Sequence, residues 1–172
     1  MQIANALKES GIPVLDAEVL LAAALNKDRT WLLGHPEQEL SRVRLEQFIE
    51  LTRRRREGEP VAYLTGEKEF YGRMFSVNPH VLIPRPSTEG LIELALDFLR
   101  SGRDEVREID TEIVGVAKKY SAVQDVSTIV DIGTGCGCIA ITLKLERPDL
   151  NVIATDSSVS ALEVAKENAR GL

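Results

Sequence analysis

The sequence contains few cysteine, histidine and aromatic residues, and some common classes of protein depend on these residues. Only two of its 172 residues are cysteines, two are histidines and 5% are aromatic. Cys136 and Cys138 stand too close together for an ordinary structural disulfide, and no second pair completes a zinc site. His35 and His80 are distant in sequence, so we predict no metal centre. This sparse use of cysteine favours a reducing compartment, the cytoplasm.

Long apolar runs and a surplus of basic residues are also missing. The longest apolar run, residues 19–25, is far shorter than the ~20 residues that cross a bilayer, so we expect no membrane association. The N-terminal residues show neither the basic segment nor the following apolar segment that a secretory signal contains. A net charge of −6 disfavours direct nucleic-acid binding. The 44% of hydrophobic residues is typical of a globular protein.

Residues 1–57 have the periodicity of helices. Apolar residues recur at i, i+3, i+4 and i+7 in residues 14–25 and again in residues 41–56. The two predicted faces are Ala17, Leu20, Leu21 and Ala24, and Leu45, Phe48, Ile49 and Thr52. We predict a small all-helical domain over residues 1–57.

Residues 58–86 have the composition of a β-hairpin linker. Aromatic and β-branched residues flank Gly72-Arg73, which predicts a type II′ turn with glycine first. The prolines at 84 and 86 then force an extended backbone. Ser87 or Thr88 is expected to cap a helix that runs to about Arg100. Its predicted apolar face is Leu91, Ala95, Phe98 and Leu99.

The pattern becomes α/β at residue 128, after a charged stretch (101–127) that we predict to be a loop or to hold a helix over 108–120. Residues 128–132 predict a buried parallel strand, 138–145 a helix and 151–155 a second strand. Ser157 or Ser158 is expected to cap a last helix, which Gly171 ends. Its predicted apolar face is Leu162, Ala165 and Ala169.

The loop Gly133-Thr134-Gly135-Cys136-Gly137 joins the first of these strands to its helix. Alternating glycines there let a ligand approach the backbone. A dinucleotide site has G-x-G-x-x-G, whereas Cys138 stands where that pattern has its third glycine. G-x-G-x-G after a strand that contains Asp131 instead resembles the S-adenosylmethionine loop of class I methyltransferases. A tight turn without a ligand is the structural alternative.

Asp156 completes this pattern at the end of the second strand, 23 residues after Gly133. A carboxylate in that place can accept both hydroxyls of a ribose. Asp131 is expected to anchor the loop or to reach the ammonium group of the cofactor's methionine portion. The alternative for Asp156 is that it only caps a helix.

Together with the segment before it, the chain resembles the HemK/PrmC family of release factor glutamine N5-methyltransferases. The matching motifs are E-P-V-A-Y-L-T-G-E-K-E-F at 59–70, L-I-P-R-P-S-T-E at 82–89, and the glycine loop. The resemblance implies a class I, Rossmann-like α/β methyltransferase domain, incomplete here over residues 87–172, after the helical domain and the hairpin linker.

The resemblance also implies a reaction, a cofactor and a partner. S-adenosylmethionine would donate a methyl group to the Gln of a Gly-Gly-Gln motif in a peptide chain release factor, leaving S-adenosylhomocysteine. The helical domain would help to dock that factor. The expected cofactor-binding residues are Asp131, Gly133, Thr134, Gly135, Cys136, Gly137, Asp156 and Ser157. Possible further lining residues are Pro84, Arg85, Pro86 and Glu89.

The chain departs from the family pattern in three places. Ser87 replaces the usual Asp of P-R-P-D-T-E, and residues 101–127 are longer than the usual connection. The family's Asn-Pro-Pro-Tyr motif, which orients the Gln amide, does not occur before Leu172. We therefore expect an N-terminal fragment that is inactive alone. Alternatives are a methyltransferase for a ribosomal-protein glutamine or a nucleic-acid amino group, and a non-catalytic module that binds a release factor.

Other residues each have two interpretations. The basic run 53–56 would either attract an acidic partner surface or rRNA, or end a helix in solvent. Trp31 is expected in the core rather than against a ligand. Arg85 and Glu89 would line the site or form an ion pair. Cys136 would be a reactive thiol or a replacement for a small Ser or Thr.

Overall fold

The computed structural model describes residues 1–101 and 128–172, which divide into two compact units, Met1–Glu67 and Lys68–Leu172. The structure places the boundary between the units after Glu67, a position that the sequence analysis did not predict. The three-part division at residues 57 and 86 stays a prediction. The helix expected over residues 108–120 lies outside the described residues.

The first unit is a bundle of short helices. Its elements are α1 (Ile3–Glu9), α2 (Val14–Leu25), α3 (Arg29–Gly34), α4 (Arg42–Arg56) and α5 (Val61–Thr65). Side chains cap the N-termini of α3 and α4. The Asp28 carboxylate accepts from Trp31 N at 2.6 Å, and the Ser41 hydroxyl accepts from Arg44 N at 3.4 Å. These bonds satisfy N–H groups that have no partner inside their own helix.

The core of this unit lies mainly between α2 and α4. The predicted face of α2 is confirmed, because all four of its residues are buried. Phe48 and Thr52 of α4 are buried as well, whereas Ile49 is 52% exposed, so its prediction was wrong. Ile49 borders an open groove between α4 and α1, together with Ala6 and Phe48, and this groove leaves its side chain accessible to solvent.

All but the first residue of a β-hairpin belongs to the second unit, and the turn of this hairpin differs from the prediction. β1 (Glu67–Phe70) and β2 (Arg73–Ser76) are joined by Tyr71 and Gly72, with φ angles of 52° and 70°. Both central residues are left-handed, as in a type I′ turn, so the predicted Gly72-Arg73 type II′ turn was wrong by one position. Tyr71 is held in this conformation from two sides: its N–H donates to Glu89 at 3.1 Å and its hydroxyl to Glu93 at 2.5 Å.

A 3₁₀ turn (Pro86–Thr88) leads into α6 (Glu89–Ser101). Neither Ser87 nor Thr88 caps a helix through its side chain, contrary to the prediction. The buried residues of α6 are Ile92 and Leu96. Of the predicted face, Ala95 and Leu99 are half-buried, whereas Leu91 and Phe98 are about half exposed, so the prediction was wrong for these last two. The apolar residues of α6 form one broad face, and Ile92 and Leu96 lie on the buried side of it.

The remaining elements form one parallel βαβα unit. They are β3 (Thr128–Ile132), α7 (Cys138–Glu146), β4 (Asn151–Thr155) and α8 (Val159–Gly171). β3 and β4 pair in parallel, with Val130 opposite Ile153, and the predicted strand limits are confirmed. In α8, Ser158 is the confirmed cap and Ala165 is buried, but Ala169 is exposed and Leu162 only half-buried. The buried face is instead that of Ala161, Val164, Ala165 and Asn168.

One face of this small sheet is bare. Helix α7 packs against both strands, yet Val130, Ile132 and Ile153 all lie exposed, and Ile132 reaches 84% exposure. Alternate residues of a strand point to opposite faces, and residues paired across strands share a face. The prediction that β3 is buried was therefore wrong for this face. Within residues 1–101 and 128–172, we find no helix both long and apolar enough to cross a membrane.

Candidate functional site

The glycine loop lies where the carboxyl ends of β3 and β4 meet. Gly133 N and Thr134 N both donate to the carbonyl oxygen of Thr155, at 2.8 and 2.9 Å. The loop is thus fixed to the last residue of β4. In parallel α/β sheets, ligands bind at this end of the strands.

The three glycines of the loop share one backbone conformation but face different surroundings. Gly133, Gly135 and Gly137 have φ angles of 80°, 56° and 85°, all in the left-handed region. A Cβ at either of the first two would meet nothing within 4 Å. At Gly137 it would lie 2.7 Å from Ile141 Cδ1 and 3.3 Å from Ala165 Cβ. The open side of the loop, where a ligand has room, is therefore at Gly133 and Gly135.

Asp156 borders this open side and is bonded to the loop itself. Its Oδ2 accepts from Gly135 N and its Oδ1 from Ser158 N, both at 2.9 Å. These bonds lower the pKa of Asp156 below the ordinary 3.8, with the Ser158 bond as the largest cause. The half-buried group is thus ionised at neutral pH and keeps lone pairs for further donors.

Asp131 lies in β3 just before the loop, Cys136 lies within the loop, and Cys138 is the first residue of α7. Asp131 Oδ2 accepts from the buried Thr134 hydroxyl at 2.7 Å, as the loop-anchoring interpretation expects. Cys136 and Cys138 are buried and free. Their mutual hydrogen bond lowers the pKa of Cys136 and raises the pKa of Cys138. Ser157, another expected cofactor-binding residue, is exposed beside Asp156.

Asn168 of α8 also contacts the loop, and the sequence analysis missed it. Its Nδ2 donates to the carbonyl of Cys136 at 2.9 Å and to that of Ser76 at 3.0 Å. Its Oδ1 accepts from Ser76 N at 2.7 Å. A signal was present, since Asn168 stands i+7 from Ala161 and i+4 from Val164, on the buried face of α8.

The segment 84–89 is linked to the hairpin. Pro84 is buried, Arg85 and Pro86 are exposed, and Glu89 accepts from Tyr71 N. An Arg85–Glu89 ion pair is not formed. Because β2 also bonds to Asn168, the hairpin is connected both to the start of α6 and, through α8, to the glycine loop. The role of residues 84–89 in a site stays a prediction.

The remaining candidates lie in the first unit. In the run 53–56, Arg53 pairs with Glu50 and Glu57, Arg54 with Glu59, and Arg55 with Asp16. These carboxylates offset most of the positive charge and favour the structural interpretation. Trp31 is half-buried against the core and stacks on His35, with 4.4 Å between ring centroids. Across the described ranges, no three His, Cys, Asp or Glu side chains are grouped as metal ligands.

Three features of this region together are typical of one class of α/β protein. They are a strand, a glycine turn that leads into a helix, and a carboxylate at the end of the next parallel strand. They form the half-unit by which α/β proteins bind nucleoside-containing cofactors. Comparison with known families narrows that class. The PrmC N-terminal domain matches residues 1–66, and the methyltransferase small domain matches residues 116–171.

Individual relatives agree with these matches. The release factor glutamine methyltransferase of Nitratidesulfovibrio vulgaris is 44% identical over 94% of this chain and 47% of its own length. That of Burkholderia pseudomallei is 41% identical over 98% of this chain and 52% of its own. The bifunctional methyltransferase of Rickettsia bellii is 41% identical over 91% of this chain and 29% of its own length. The chain is thus similar to methyltransferases of the HemK/PrmC family in both of these regions, and it spans about half the length of the release factor enzymes that it matches.

Proposed function

We propose that this chain is the cofactor-binding part of an S-adenosylmethionine-dependent methyltransferase with a class I, Rossmann-like domain. Its substrate is the glutamine of the Gly-Gly-Gln motif in a peptide chain release factor, which is methylated on the side-chain nitrogen. The observation that carries the proposal is the joint position of the open glycine loop and Asp156. The names of two relatives support a release factor glutamine as the substrate, and the motif resemblance implies the Gly-Gly-Gln motif and the side-chain nitrogen.

The residues of the site fit this cofactor. S-adenosylmethionine, when bound, supplies a methyl group on a positively charged sulfur. The ionised Asp156 has free lone pairs for the two ribose hydroxyls, beside the bonds it makes to Gly135 and Ser158. The space over Gly133 and Gly135 admits a ligand against the backbone. Asp131, held by Thr134, offers its second oxygen to a cationic group.

The amide nitrogen of glutamine is a weak nucleophile because its lone pair is delocalised. Most of the rate acceleration must therefore come from holding that nitrogen in line with the methyl group. The site residues named above fix the cofactor side of this geometry. No Asn-Pro-Pro-Tyr motif is present in the 172 residues to fix the glutamine side.

Calorimetric titration of the 172-residue chain with S-adenosylmethionine and S-adenosylhomocysteine tests the cofactor. We expect Asp156→Ala to weaken both by about tenfold to a hundredfold, the value of hydrogen bonds to a charged group. Asp149→Ala is the matched control, because Asp149 is an exposed carboxylate paired only with Arg147. Equal affinities of the unaltered and Asp156→Ala chains would contradict this site.

A methylation assay tests the substrate. Protein from the complete reading frame is incubated with the cofactor and a release factor, and mass spectrometry locates the methyl group. We expect it on the Gly-Gly-Gln glutamine. Transfer only to a ribosomal protein or a nucleic acid would replace the proposed substrate. Binding of the release factor without any transfer would favour a non-catalytic module.

A further inference from the structure

We infer that Asn168 is a positioning residue that holds the glycine loop in its ligand-binding conformation, an inference that rests on the cofactor site proposed above. The side-chain amide of Asn168 bridges the last residue of β2 and the middle of the loop. Nothing in the βαβα pattern requires a polar residue at this place in α8.

The amide of Asn168 is buried and fully used. Asn168 is 4% exposed, and its side chain makes three hydrogen bonds of 2.7 to 3.0 Å. Two of these bonds join both backbone groups of Ser76, as the next strand of a sheet would. The third joins the carbonyl of Cys136. A buried amide satisfied in this way has one orientation, since any rotation leaves polar atoms unpaired.

The bond from Asn168 to the Cys136 carbonyl restrains one peptide in the middle of the glycine loop. The peptide between Cys136 and Gly137 is held at both ends: Asn168 binds its carbonyl, and its N–H donates to Thr134 O at 2.9 Å. This peptide lies between the left-handed Gly135 and Gly137. The Gly135 N–H that donates to Asp156 lies two peptide bonds earlier in the same loop.

Helix α8 is well placed to act on the loop. Ala165, one turn before Asn168, lies under Gly137, where a Cβ would come within 3.3 Å of its side chain. The two residues are spaced i, i+3 and so share a face of the helix. Ala165 therefore supports Gly137 by packing, while Asn168 fixes the neighbouring peptide by hydrogen bonding.

Amide hydrogen exchange measured by NMR on the 172-residue chain separates this role from general stabilisation. Asn168→Asp preserves the acceptor for Ser76 N but loses the amide donors to Cys136 and Ser76. We expect the amides of Gly135 and Gly137 to exchange about tenfold faster, the result of leaving a buried carbonyl unpaired. Amides of β3 and β4 should change little.

Three further variants complete the experiment. Asn168→Ala removes all three bonds without adding charge and favours the helix, so it serves if the aspartate variant fails to fold. Asn151→Asp makes the same change at the other end of the strands, where Asn151 is exposed. Ser76→Ala retains every bond, because Asn168 contacts only the backbone of Ser76. Neither control should alter exchange at the loop.

Acceleration of loop and strand amides to the same extent, or no acceleration, would overturn the inference. Cofactor titration of the same variants gives a second readout, with affinity about tenfold lower for Asn168→Asp and unchanged for Asn151→Asp. If the unaltered chain binds no cofactor, the proposed function fails. The exchange data would then still decide whether Asn168 holds the loop.

Discussion

At the scale of single residues, Gly135 and Gly137 illustrate two reasons for a glycine within one loop. Both have positive φ angles, which cost a residue with a Cβ about 1–2 kcal/mol. Only Gly137 is also enclosed, by Ile141 and Ala165. A side chain at Gly137 therefore disturbs packing as well as backbone, whereas one at Gly135 disturbs the backbone and occupies ligand space.

We predict that Gly137→Ala lowers the free energy of unfolding by about 2–4 kcal/mol, the sum of backbone strain and overpacking. Gly135→Ala should lower it by only about 1–2 kcal/mol while reducing cofactor affinity. Urea unfolding followed by circular dichroism measures both effects. Gly90→Ala is the control, because Gly90 has neither a positive φ nor a crowded Cβ position. Equal losses at Gly135 and Gly137 would contradict the role of packing.

The same scale shows which site residues a sequence can reveal. The sequence indicates Gly133, Gly135 and Asp156 as candidates, because a glycine loop after one strand and an acid after the next strand form a recognisable order along the chain. Asn168 was missed because its partners, Cys136 and Ser76, are 32 and 92 residues away. Hydrogen bonds at that separation depend on tertiary packing, which local periodicity does not encode.

At the scale of elements, an ion pair connects α2 to α3. The Glu18 carboxylate accepts from Arg29 Nε at 2.6 Å, and its side chain is only 10% exposed, against 50% for Arg29. The acidic partner is thus the one that depends on the pair. Removing the arginine leaves a desolvated charge, whereas removing both groups does not.

We predict that Arg29→Met destabilises the first unit by about 1–3 kcal/mol, less than for a fully buried pair because Arg29 reaches solvent. Adding Glu18→Met should recover part of this loss. Urea unfolding followed by Trp31 fluorescence reports on this unit, since Trp31 is the only tryptophan and lies in α3. Arg42→Met, which breaks an exposed pair with Glu46, should cost under ~0.5 kcal/mol. A similar loss in both variants would contradict the prediction.

The elements were predictable to different degrees for a physical reason. Gly133 ends β3, and α7 lies between Gly137 and Pro148, which stop regular structure locally. The predicted limits of β3, α7 and β4 are close to the observed ones. The apolar residues of α6 form one broad face, and the sequence did not show which side of it would be buried, since Leu91 and Phe98 lie toward one margin and Ile92 toward the other. The hairpin turn was misplaced because Tyr71, an aromatic residue, occupies a left-handed position.

At the scale of the whole molecule, the second unit carries an apolar surface that its own described elements leave open. Val130, Ile132 and Ile153 form one patch on the face of the sheet opposite α7. Exposed patches of this kind, next to an unpaired strand edge, promote association. Contact between two copies through this face would remove the three side chains from water.

We therefore predict that the 172-residue chain self-associates as its concentration rises, and that Ile132→Thr weakens the association about tenfold to a hundredfold. In a symmetric pair both copies carry the substitution. Burying each isoleucine contributes about 1.5–3 kcal/mol to the free energy of association, and a buried threonine contributes only part of that amount. Sedimentation velocity over a range of concentrations measures this. Leu82→Thr is the control, because Leu82 is 73% exposed but lies outside the sheet. A chain that stays monomeric, or equal weakening by both substitutions, would show that this face does not govern association.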